Sequence, residues 1–165
     1  MISNVAEIIG FRVDPDTEYA EWYTVWFWDD QDETRMSMRE GRVLWFRTEA
    51  VARRAADSFT PNGYTLDPDI PTVCDIARVL YAVDTNEVGT EGAVLVSLNL
   101  LDDMLICAEC IEDLPNREVL DIFCSHLTMG DPIQLATENV GGKKIVIDTI
   151  YAALGRLLVW STFEC

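Results

Sequence analysis

Two cysteines separated by two residues, Cys107-Ala-Glu-Cys110, and a third thiol beside the single histidine, Cys124-Ser-His126, are the side chains best suited to holding a metal or attacking a substrate. Three thiolates and one imidazole can make a tetrahedral zinc site. Structural zinc pairs sit in tight turns near glycine, however. Cys107 and Cys110 instead close an amphipathic run, where a separation of three simply shares a helix flank. Buried thiols are also ordinary core residues. The expectation is therefore no metal and no cofactor, with Cys107, Cys110, Cys124 and His126 as the alternative ligand set. A redox pair is disfavoured as well, since it would open a helix after a strand and this pair ends one.

A single histidine narrows acid and base chemistry. On a helix, Cys124 and His126 point about 200° apart and cannot form a nucleophile and base pair. No Gly-x-Ser-x-Gly elbow supplies another nucleophile. The glycine pairs in 89–92 and 141–144 have neither Walker nor Rossmann spacing. Asp102-Asp103 has the chemistry of a carboxylate dyad, but both residues share the polar arc of a helical wheel with Asn99 and Glu109 and read as a wet helix face. No catalytic residue is assigned, and the chain leans away from being an enzyme.

Binding is the better-supported direction. Asp29-Asp30-Gln31-Asp32-Glu33 has the oxygen density for calcium but lacks the spaced ligands and central glycine of an EF-hand loop. It reads as a hairpin tip open to a basic protein. Trp22, Trp26 and Trp28 alternate onto one face of a strand. If helices cover only one sheet face, some of these rings stand exposed, and exposed tryptophan is a favoured interface anchor. Asp29, Asp30, Asp32, Glu33, Trp22, Trp26 and Trp28 are thus the candidate partner-binding residues.

The charge distribution agrees. The 165 residues carry a net charge of −17. Residues 1–34 and 55–142 are strongly acidic, while residues 35–54 hold six arginines against two glutamates. Such a field repels nucleic acid phosphates and anionic lipid, and it speeds encounter with basic partners. No direct nucleic acid contact is expected.

The elements that must position these residues follow from spacing. Residues 5–13, 21–28, 35–39 and 42–47 are rich in apolar and aromatic β-formers and are punctuated by turn residues, which predicts four strands in meander order. Thr48 can cap a helix over 49–58. Residues 59–71 form a loop with a short extended piece at 64–66. From residue 72 the period becomes helical: Thr72 and Asp75 resemble a capping box before a helix ending near Thr85-Asn86. Further helices are expected over 91–111, 115–127 and 143–160, with an irregular connection between the last two.

Together these give one domain: strand-rich over 1–60, helix-rich over 72–165. The class is α+β, an N-terminal antiparallel sheet of about four strands followed by about four to five helices packing on one face. No run reaches the ~18 apolar residues of a membrane helix. The N-terminus lacks the basic and apolar blocks of a secretion signal. Five cysteines, an odd number, favour reduced thiols. The expected setting is therefore cytoplasmic, without a membrane. The leading functional expectation is a non-catalytic acidic protein-binding module, similar to an immunity or inhibitor protein in size and acidity. The alternatives are a small hydrolase or transferase using His126 with a carboxylate, and a structural homo-oligomer subunit.

Overall fold

A computed structural model describes residues 4–28, 34–59, 64–68, 71–112 and 114–164. Strands β1 (Asn4–Arg12), β2 (Trp22–Trp28), β3 (Thr34–Met36), β4 (Met38–Arg39) and β5 (Arg42–Phe46) are the expected antiparallel strands, the third broken at Ser37. Helix α1 (Glu49–Phe59) follows, and the Thr48 hydroxyl accepts from the Val51 amide at 3.2 Å. Next come β6 (Tyr64–Leu66), β7 (Thr72–Asp75), α2 (Ile76–Thr85), α3 (Glu91–Cys107), α4 (Arg117–Thr128), α5 (Ile133–Glu138), α6 (Lys143–Val159) and β8 (Ser161–Glu164). The chain is mixed α+β.

The sheet order is β4-β5-β2-β1-β6, with β3 on β2, β7 on β1 and β8 on β5. The strands are antiparallel as expected, but their order is not a simple meander: β5 pairs directly with β2 through Phe46 and Tyr23, while the broken third strand pairs with β2 through β3 and with β5 through β4. Three short strands add to the sheet in parallel, β6 and β7 along β1 and β8 along β5, and two of these were not anticipated. Residues 72–75 form strand β7 because Thr72, Val73 and Cys74 can pair with Ile9, Gly10 and Phe11, an option that local periodicity does not display. The helix cap accordingly moves to Asp75, whose carboxylate accepts from the Arg78 amide at 3.0 Å. The same carboxylate pairs with Arg12 at 2.8 Å, and the Asp75 amide donates to Ser97 Oγ at 3.0 Å. Asp75 therefore ties β1, α2 and α3 at one junction.

Helices lie on both sheet faces, which corrects the expectation of one covered face. Ile9, Phe11, Trp26, Val43 and Trp45 point into a core shared with α2 to α6. Ala6, Ile8, Val25, Phe27, Leu44 and Phe46 point the other way, against Ala52 and Ala56 of α1. The strand alternation read from sequence holds, but both sides are apolar and both must be covered. Small alanines let α1 lie close to the sheet. Close approach also explains Gly10: a Cβ there would stand 2.8 Å from that of Ala20 and 3.3 Å from Val73 Cγ2.

Candidate functional site

The candidate contact residues do not assemble as the sequence suggested. Trp26 is only 9% exposed and belongs to the core between sheet and helices, so it offers no surface to a partner. Its face of the sheet is the one that α2 to α6 cover. Trp22, on the same face but nearer the sheet margin, is half-buried and meets Phe163 edge-on, with ring centroids 4.7 Å apart. Phe163 in turn stacks over Trp45 at 6.4 Å and is 37% exposed. Trp22 and Phe163 are what remains at the surface of the aromatic strip among the described residues. Asp29, Asp30, Asp32 and Glu33, together with the side chain of Trp28, lie outside the described residues.

The four residues of the alternative metal set are not gathered either. Among the described residues, no group of three or more His, Cys, Asp or Glu side chains can hold a metal ion. Cys110 lies past the end of α3 and is buried, its thiol sharing a weak contact with the Leu105 carbonyl at 3.6 Å. His126 turns to Asp131, with Nδ1 2.7 Å from Oδ2, and the Asp131 amide donates to the His126 carbonyl at 3.0 Å. That pair closes the turn after α4.

Chemistry converges instead in a cleft of about 230 Å³ between α3 and α4. Leu98, Leu101 and Leu105 repeat at helical spacing along α3, with Asp102 beside them, and Arg117, Leu120, Asp121 and Cys124 do the same along α4. The two stripes face each other because α3 and α4 pack together, joined by a short connection that buries Leu114. The result is a leucine floor with charged groups at its rim.

Those charges are poorly compensated. Asp102 was expected on a wet face but is half-buried. Burial raises its carboxyl above the usual carboxylate range, Arg117 works against that rise, and Asp121 adds to it. Asp103 is raised too, first by burial and then by Asp102. Burial pushes the Cys124 thiol up to about 12, with Asp102 and Asp121 reinforcing the shift, which leaves it a poor nucleophile. Arg117 Nε is buried without a hydrogen-bond partner among the described residues, and it stands 4.0 Å from Asp121 Oδ2, too far for a hydrogen bond. Two carboxylates thus face one loosely held guanidinium.

Sequence reasoning missed this site. It weighed Asp102 only against its own helix, whereas the repeat at 117, 120, 121 and 124 is visible in the sequence and marks the facing stripe.

A second, larger groove of about 430 Å³ lies between α2 and α6. Leu80 and Ile147 form its floor, with Tyr81 and Tyr151 exposed at its lip. Asp84 stands at one end, and its backbone carbonyl accepts from Lys143 Nζ at 2.9 Å.

No family model matches the chain, and no curated protein matches it. Among solved structures, the chain is similar to the C-terminal domain of SatS, crystallised in complex with bromine. The TM-score is 0.52 at 16% identity, over 96% of this chain and 94% of that domain. That likeness is one of fold. No helix among the described residues is long and apolar enough to cross a membrane.

Proposed function

We propose that this protein is a non-catalytic, acidic protein-binding module that holds a basic partner, as an inhibitor or immunity protein does. The observation that supports it best is the α3–α4 cleft: an apolar floor rimmed, among the described residues, by Asp102 and Asp121 against Arg117 alone, in a chain of net charge −17. An apolar patch with uncompensated negative charge around it suits a partner surface that is both basic and partly apolar. The remaining acids steer the encounter and keep wrong partners away.

Native mass spectrometry of the protein purified from its own source tests the reading, with metal content measured on the same sample. A stoichiometric basic partner is the expected result. A bare monomer, a homo-oligomer or a zinc-loaded chain would each count against it. The acidic loop gives an independent check. Neutralising Asp29, Asp30, Asp32 and Glu33 together is expected to slow association and flatten its salt dependence while leaving stability nearly unchanged.

The alternative of a hydrolase or transferase has one observation in its favour, the carboxylate of Asp131 on His126. Neither residue lines the α3–α4 cleft or the α2–α6 groove, so the pair has no described pocket in which to meet a substrate. His126→Ala is expected to leave partner binding intact and to cost about 1 kcal/mol of stability through the lost contact.

A further inference from the structure

We infer that the α3–α4 cleft is built to take one arginine side chain from the basic partner, its aliphatic stem on the leucine floor and its guanidinium between Asp102 and Asp121. The inference rests on the binding reading above and names what that site recognises.

Size comes first. At about 230 Å³ the cleft falls below the ~300–1,000 Å³ typical of pockets for drug-sized ligands, so a single side chain suits it better than a nucleotide or cofactor. Shape of charge comes next. The floor is apolar and the rim acidic, which matches a side chain that packs a hydrocarbon stem and keeps a cationic head in polar surroundings. The two carboxylates come from different helices, and a planar guanidinium with five N–H donors can serve both at once. An ammonium is a single, strongly hydrated point charge and serves such a pair less well.

Arg117 already occupies part of this charge balance, but loosely. Its Nε makes no hydrogen bond among the described residues, and its distance of 4.0 Å from Asp121 leaves that carboxylate able to accept from another donor. No described residue donates a hydrogen bond to the Asp102 side chain. An incoming guanidinium would therefore supply bonds that the cleft lacks and need not break strong ones.

The test uses N-acetyl-arginine methylamide as the probe, with N-acetyl-lysine methylamide as its control, followed by methyl NMR shifts of Leu98, Leu101, Leu105 and Leu120 in the full chain. Saturable millimolar binding of the arginine probe at these methyls is expected, with the lysine probe weaker. Asp102→Asn and Asp121→Asn should each weaken it by about tenfold or more, as loss of a charged hydrogen bond implies. Arg117→Ala should tighten it several-fold by removing the competing cation. An unsaturable response, equal binding of the lysine probe, or loss of binding in Arg117→Ala would overturn the inference, the last because Arg117 would then hold the site together and not compete for its carboxylates. A stable partner whose affinity is unchanged in Asp102→Asn and Asp121→Asn would overturn it too, while leaving the binding-module reading standing. Probe binding in a chain that captures no basic partner would have the reverse meaning.

Discussion

Replacing Trp26 with alanine distinguishes a core tryptophan from a contact tryptophan. The ring is 9% exposed, stands opposite Glu7 of β1 and Met36 of β3 on the same sheet face, and belongs to the core beneath the helices. Truncation removes nearly the whole buried indole and leaves a void that surrounding strands cannot easily close. Tryptophan-to-alanine changes of this kind cost about 3–5 kcal/mol. Against a total stability of about 5–15 kcal/mol, that is a large share. In a chain of this size each 1 kcal/mol lowers the melting temperature by about 2–4 °C, so the expected drop is about 6–20 °C.

Trp22→Ala is the matched control. Trp22 is half-buried, and its loss removes the edge contact with Phe163 and part of the burial, about 1–2 kcal/mol in all. Urea unfolding followed by far-ultraviolet circular dichroism is the suitable assay, because tryptophan fluorescence changes with the substitution itself. If Trp26→Ala stayed within about 1 kcal/mol of the parent while partner binding disappeared, the placement of Trp26 in the core would be refuted. The contact role expected from sequence would then return.

Three other outcomes follow from the structure. Asp102 titrates above its ordinary value in the fold because of burial and Asp121, with Arg117 opposing and with Asp103 and Cys124 close by. Folding disfavours its ionised form relative to the unfolded chain, so its contribution to stability is fully present below the unfolded value of 3.8 and is lost as pH rises through the raised folded value. Asp102→Asn should therefore be more stable than the parent at pH 7, with the advantage vanishing below that unfolded value. Urea midpoints across pH would show the reverse trend if the carboxylate were well paired. Gly10→Ala should lose about 1–3 kcal/mol through the clash with Ala20, read from the same unfolding curves; an unchanged midpoint would deny the close approach of strand and loop. Cys124 and Cys107, raised to about 12 and about 11 mainly by burial, should alkylate at pH 8 far more slowly in the native protein than in urea. Prompt native labelling of Cys124 would contradict its half-buried, acid-flanked setting.

The sequence determined the local architecture by itself. Alternation through Trp22, Thr24 and Trp26 fixed which strand residues share a face, and the apolar repeat after residue 91 fixed helix over strand for α3. Thr48 and Asn86 marked helix ends that the structure keeps, Asn86 through its left-handed backbone at φ 51°. Tertiary structure decided the rest. Whether Trp26 is core or contact depends on which face α2 to α6 choose, and α1 takes the other face because its alanines permit close packing. Residues 72–75 and 161–164 become strands only because β1 and β5 offer unpaired edges to them. The cleft needs α3 and α4 side by side: Asp102 looks solvated on its own helix, and only the approach of Leu120, Asp121 and Arg117 from a second helix removes water from it. Burial is a property of pairs of elements, and the sequence of either one does not contain it.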